Sequence, residues 1–262
     1  MLSPQQALSQ FIKVRSSLAP NETSVFWWVG TIYAQLPHQP YQKLFQFEGY
    51  NIGRSEAIEG GYRMITREAA FYKDPKTGQI LDHWTNPFTQ ETVAVVHVWN
   101  DPVNQTMLAN GPRGPFGLPI TDLGGDERCM WMDVTLAYPT PLSRAQYPEY
   151  VQNDLYVGAE LFQFFYHQSD VDNPALTAVP CQNSWTRIAA WVPFMKMGDR
   201  EGGLVYQCRG GRLAGGYAAL SAEVRAYVEA HQPKYASAPT EWVQPNETSW
   251  TYMKKVLEDQ AV

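Results

Sequence analysis

At 262 residues, with 44% hydrophobic and 18% charged residues, the chain is long enough to bury a sizeable core without disulfide or metal staples. A formal net charge of −6 argues against nucleic acid and anionic membrane surfaces as partners. There is no apolar run long enough for a membrane helix, and the absence of a basic, then apolar leader after Met1 gives the expectation of a cytoplasmic protein.

Ser3-Pro4 predicts a helix over about 4–15, with Ala7, Leu8, Phe11 and Ile12 as its apolar stripe. Ser24–Gln35 alternates as a strand, with Phe26, Trp28, Gly30 and Ile32 on one face. Leu44–Asn51 is the next strand, and the glycines at 53, 60 and 61 mark a loop. Tyr62–Lys73 follows, with Tyr62, Met64, Thr66, Glu68, Ala70 and Tyr72 sharing a face. The turn D-P-K-T-G-Q predicts that this strand folds back on Gln79–Trp84. Thr92–Trp99 is apolar on both faces except for His97, which predicts a central strand.

The residues of this stretch, R-E-A-A-F-Y-K-D-P-K-T-G-Q-I-L-D-H-W-T-N-P-F-T-Q-E followed by N-D-P-V-N, resemble the domain-of-unknown-function 1838 family over about Glu68–Asn104. Gln90 stands where that family's turn carries glycine. The resemblance implies a mostly β, barrel-like domain and no defined activity.

Leu108–Asp126 is dense in glycine and proline and reads as a lid or an excursion over a pocket mouth. Strands are predicted at Met130–Tyr138, Tyr156–Gln168, Ser184–Pro193 and Gly203–Arg209, with a further piece at 212–216. Helices are predicted over about 221–231 and 247–259. Nine or ten sequence-adjacent strands give the expected fold. It is a mainly β, single antiparallel calycin-like β-barrel domain over 1–262, with the barrel at about 24–216, the N-terminal helix on an outer face or closing one end, and the C-terminal helices outside.

Three well-separated cysteines, Cys129, Cys181 and Cys208, form no C-x-x-C, which suits a reducing compartment and gives no metal site. Three N-x-T triplets, at Asn21, Asn104 and Asn246, are too common by chance to indicate secretion. Nine Trp and fifteen Tyr exceed the needs of a core, and either line a cavity for an apolar ligand or reflect β propensity alone. His97 among Val93, Val95 and Trp99 is a candidate base, against the alternative of a core histidine satisfied by a carbonyl. His83, beside Asp82, is a second candidate, against a solvated turn. Glu68 between Tyr62, Met64 and Tyr72 needs a partner if buried, and Arg187, framed by Trp185 and Trp191, is a candidate for that partner or for a ligand carbonyl. Glu160 beside Phe162 and Phe164 raises the same question.

No nucleotide, hydrolase-elbow or zinc motif is present, so the expectation is chemistry without a cofactor or metal. The leading expectation is a cofactor-independent cyclase or isomerase, of the pericyclase type met in secondary metabolism, acting on an apolar carbonyl-bearing small molecule. His97, Arg187, Glu68 and His83 are its catalytic candidates. Tyr62, Met64, Tyr72, Trp99, Phe162, Phe164, Trp185 and Trp191 are its binding candidates. The alternatives are a lipocalin-like carrier, and a hydrolase or lyase using a carboxylate–histidine pair. Exposed strand edges or aromatics would invite a homodimer.

Overall fold

The computed structural model describes residues 2–259 and is mainly β. Helix α1 (Pro4–Arg15) opens as expected: the Ser3 hydroxyl accepts from the Gln6 N–H, and the Gln6 side chain accepts from the Ser3 N–H at 2.9 Å. Strands β1 (Ser24–Gln35), β2 (Gln42–Ile58) and β3 (Gly61–Lys73) follow as an antiparallel meander.

Here the structure corrects two expectations. The stretch from Gly53 to Ile58 is strand, not loop, and β3 pairs with β2 along its whole length rather than with Gln79–Trp84. Contact with the latter stretch is limited to the Lys73–Ile80 bridge and neighbouring backbone bonds. Gly53 is glycine because its neighbours close in: a Cβ there would lie 2.4 Å from the Ile65 carbonyl oxygen. Gly60 is the true turn residue, with φ +71°.

Strands β4 (His83–Thr85) and β5 (Thr92–Ala94) form a separate ribbon, closed by the turn in which Gln90 adopts φ +63°, a conformation that glycine takes without strain. Strand β6 (Val98–Asn100) pairs with β3, as does β7 (Gln105–Leu108). The Thr92–Trp99 run is therefore not a central strand. It breaks at 95–97, and β6 is an end strand of the sheet. Its two apolar faces arise because one lies under a helix and the other faces the interior.

The glycine-rich segment holds a small ribbon, β8 (Asn110–Gly111) with β9 (Gly114–Pro115), and then β10 (Ile120–Gly124), which pairs with β11 (Glu127–Pro139). The chain continues through β12 (Leu155–His167), α2 (Gln168–Asp172), β13 (Gln182–Ala189) and β14 (Gly203–Arg212), and ends in α3 (Ala222–His231) and α4 (Ser249–Asp259). Gly210 and Gly211 belong to β14, and no strand covers 213–216.

The main sheet is ten-stranded and antiparallel, in the order β10-β11-β12-β13-β14-β1-β2-β3-β6, with β7 also on β3. The first and last long strands of the chain, β1 and β14, are neighbours, so the gap falls mid-chain, between β6/β7 and β10. Among the described residues no ladder closes that gap. Side chains bridge it instead. Met64, Met107, Met130 and Phe164 share a buried cluster with Phe11 of α1. Farther along, Trp250 of α4 packs 5.7 Å from the Tyr156 ring, and the adjoining Glu247 N–H donates to the Pro102 carbonyl at 2.8 Å. Helix α1 thus closes part of the curl, one of the two places expected for it, whereas α4 reaches the interior, contrary to the expectation that it stays outside. Apolar stripes are buried wherever uncovered surface is offered, and the gap between the rims offers it.

Helix α3 covers the convex face of β1–β3, where Val224 and Val228 pack with Tyr50, Ile52 and Phe71. Among the described residues the convex face of β11–β13 has no such cover, and Trp131, Val157, Leu161, Phe165 and Ile188 are exposed.

Candidate functional site

Inside the curl lies a cavity of about 380 Å³. Its geometry follows from strand register. One row of cross-strand neighbours runs Phe26–Asn51–Glu68–Asn100 over β1, β2, β3 and β6. A second runs Glu160–Arg187–Tyr206 over β12, β13 and β14. Between them the walls are aromatic. The Trp28 and Trp185 rings meet edge to face at 5.8 Å, and Phe162 stacks on Trp185 at 6.1 Å. Alternation along regular strands puts these residues on one face.

Arg187 is held from three sides. Its guanidinium is 3.0 Å from Glu160, donates to the Tyr156 hydroxyl at 2.7 Å, and lies 5.8 Å from the Tyr206 ring centroid. Although burial opposes the charge, Glu160 and the surrounding phenols hold this guanidinium firmly protonated. The expected Glu68–Arg187 pair does not form, because the directly opposed residue across the β12–β13 ladder is Glu160.

Glu68 has little company. The Asn100 amide donates to it at 3.4 Å, a long hydrogen bond. Burial and the neighbouring Glu160 charge push its carboxyl up to about 7, against the opposing pull of Arg187 and Arg15. What exposure it has is to the cavity. A carboxyl poised there changes protonation state near neutral pH, as a general acid or base must.

Two phenols complete the floor. Tyr72 and Tyr206 both line it, and burial raises Tyr72 to about 12 and Tyr206 well beyond the usual phenol range, so both remain proton donors. The indole N–H groups of Trp28 and Trp185 and the Asn183 side-chain oxygen are buried with no hydrogen-bond partner among the described residues. Such groups are costly to leave unmatched, at about 1–3 kcal/mol each.

Of the residues singled out in the sequence, Arg187, Glu68, Glu160, Met64, Tyr72, Phe162 and Trp185 line the cavity. The others do not. His97 lies in the break between β5 and β6, wedged between Phe71 at 5.4 Å and Tyr227 at 5.3 Å, and its Nδ1 accepts the Tyr72 N–H at 3.3 Å. Burial lowers it to about 4, so it is a neutral core histidine. The break shifts the alternation. Val98 faces the cavity and Trp99 turns outward against Tyr235, 5.0 Å away. His83 is exposed on the β4–β5 ribbon. Tyr62 meets Ser9 at 3.3 Å, and Phe164 packs in the α1 cluster. Trp191 lies past the end of β13, with its N–H on the Arg200 carbonyl at 3.1 Å. No Glu68–His97 pair is assembled.

Arg15, Asn51, Tyr156 and Tyr206 carry no mark in the sequence reading although all line the cavity. A signal existed for Arg15, which is one turn beyond Phe11 on the apolar stripe of α1. Among the described residues, no three His, Cys, Asp or Glu side chains gather as a metal site. No described helix is long and apolar enough to cross a membrane.

Residues 21–257 match the model of a family described as protein of unknown function (DUF1838). The chain belongs to this family. No curated protein matches it. The match extends the motif region, Glu68–Asn104, to both walls of the cavity and most of α4, while Phe11 and Arg15 of α1 line the cavity from outside it.

Proposed function

We propose that this DUF1838 protein is a cofactor-independent isomerase or cyclase that moves a proton within an apolar, carbonyl-bearing small molecule held in the cavity. One observation carries the reading: a carboxyl near pH 7 on the wall of an aromatic hollow that also holds cations and phenol donors. The curled sheet with its gap bridged by α1 and α4 serves as a calycin-like barrel. Three free, buried cysteines favour a reducing compartment, and we place the protein in the cytoplasm.

In the proposed step, ionised Glu68 takes a proton from carbon next to the ligand carbonyl. The electron pair of that C–H bond moves onto the carbonyl oxygen as an enolate, where the Tyr72–Tyr206 phenols donate hydrogen bonds. The protonated Glu68 then returns the proton to a different carbon. The double bond shifts; or the enolate carbon first adds to a conjugated C=C of the same molecule, whose π pair moves to its far carbon and takes the proton back, so that a ring closes and nothing is oxidised or reduced. Trp28, Trp185 and Phe162 hold the apolar body in a reactive conformer and keep bulk water out.

The test is isotope exchange. The protein is incubated in D2O with a panel of apolar ketones and enones, and deuterium uptake is followed by mass spectrometry. Exchange in the wild type, with an inflection near pH 7 and a loss of at least about 100-fold in Glu68→Gln, supports the proposal. Ligands that bind and are recovered without deuterium at any pH would instead support the second reading, a lipocalin-like carrier, which the same aromatic walls favour.

A further inference from the structure

We propose that the cavity's ligand is an acid: a monocarboxylate whose head group sits on Arg15 and whose apolar body runs along the tryptophan walls. The proposal rests on the reading of the cavity as a ligand site, and it names the ligand's chemistry.

The cavity wall carries two arginines. Arg187 is paired with Glu160. Arg15 is not paired: among the described residues no carboxylate lies within ion-pair distance of it, and its one hydrogen bond goes from Nη2 to the Asn51 side-chain oxygen at 3.3 Å. Its guanidinium lies 4.3 Å over the Phe26 ring, which supports the cation but does not neutralise it. An arginine stays protonated even when burial lowers it to about 10.

The charge count inside the hollow therefore does not close. Glu160 is committed to Arg187, and Glu247 at the rim is bridged to Lys255. Glu68 is the remaining lining carboxyl; burial and Glu160 raise it to about 7 against the pull of Arg187 and Arg15, so near neutral pH it is only partly ionised and does not balance Arg15 in full. A half-buried cation without a full counter-charge is costly, and a planar guanidinium fork matches a carboxylate in bidentate geometry.

The position of Arg15 fixes the ligand's orientation. Arg15 meets the row that crosses β1 at Phe26 and also carries Glu68, and the Arg187 row crosses β1 at Ile32, six residues along the strand. Glu68 feels both arginines, so side chains of the two rows converge in the hollow. The aromatic span lies between these rows. A ligand with its carboxylate on Arg15 carries its apolar chain past Trp28 and Trp185, toward the Arg187–Tyr156 end. An oxygen function there would meet the donors that act in the proton transfer.

The test uses unreactive ligands, so that it does not depend on turnover. Saturated monocarboxylates from octanoate to hexadecanoate are titrated against their methyl esters, by calorimetry and by quenching of tryptophan fluorescence. The wild type is expected to bind the best acid at least about ten-fold tighter than its ester. Arg15→Met, verified as folded by circular dichroism, should bind both alike, Arg15→Lys should recover part of the preference, and Glu68→Gln should keep it. Equal binding of acid and ester by the wild type, binding of neither, or a preference that survives in Arg15→Met would overturn the proposal. If the acid is preferred and no deuterium exchange is found, the catalytic reading falls and the acid site stands. If neutral ketones exchange and acids show no advantage, the reverse holds.

Discussion

Arg187 and Arg15 share one hollow and differ in company. Arg187 stands opposite a carboxylate across a β ladder and is hydrogen-bonded to a phenol. Arg15 arrives on a helix from outside the sheet and meets an amide and a benzene ring. A cation placed by register comes with a partner placed by register, and so forms part of the wall. A cation delivered by a docking helix has no such partner, and the fold carries its desolvation cost. The two arginines should therefore respond to the same substitution with opposite signs.

Arg187→Met leaves Glu160 half-buried and unpaired, and is expected to lower stability by about 3 kcal/mol. Adding Glu160→Gln should restore much of that loss. Arg15→Met removes an uncompensated charge and replaces it with a side chain suited to the Phe11 cluster. Stability is expected to hold or rise by about 1 kcal/mol. Chemical denaturation of the three variants decides the matter. A loss in Arg15→Met as large as that in Arg187→Met would mean that Arg15 is also a structural brace, and the comparison would collapse.

The next effect is smaller and depends on pH. The carboxyl of Glu68 titrates at about 7 in the folded protein, above its ordinary value of 4.5. Below 4.5 it is protonated in both folded and unfolded chains and costs nothing. As pH rises to 7 the unfolded chain releases the proton first, and the folded state loses ground. Glu68→Gln should therefore be more stable than the wild type by about 2 kcal/mol at pH 8, with the difference vanishing near pH 4. A difference independent of pH would show that the carboxyl is not raised.

The contrast between the walls also explains what could be read in the sequence. Met64, Thr66, Glu68 and Tyr72 share a face because β3 is regular over its whole length, and period two is then enough to place them. The same holds for Trp185, Arg187 and Ala189 on β13. Pairing across strands was not legible. Nothing local to Arg187 says that Glu160 rather than Glu68 lies opposite, since register is set by the whole meander. Strand continuity was misread in both directions. Gly53 looked like a break and is strand, whereas Thr92–Trp99 looked continuous and breaks at 95–97. That break put His97 and Trp99 on the wrong side. Arg15 was overlooked because a charge at a helix end normally reads as a solvated cap, although the helical period continues from Phe11 into it.

His97 gives the last prediction, and it mirrors Glu68 in the layer under α3. Burial holds the imidazole at about 4, below its ordinary 6.5. Above 6.5 it is neutral whether folded or not. As pH falls toward 4 the unfolded chain takes up a proton that the folded one refuses, so stability is lost on acidification. Glu68 makes stability fall with rising pH between 4.5 and 7, and His97 makes it rise between 4 and 6.5. The two slopes oppose each other over the same window, so their contributions to the wild-type profile there nearly cancel. Replacing one group exposes the other. Glu68→Gln should lose stability on acidification from 6.5 to 4.5. His97→Gln should gain about 1–2 kcal/mol over the same interval, relative to its own value at pH 7. Because His97 lies outside the hollow, His97→Gln should leave deuterium exchange and acid binding unchanged. Loss of either on that substitution would return His97 to the site and remove the distinction between the wall and the layer behind it.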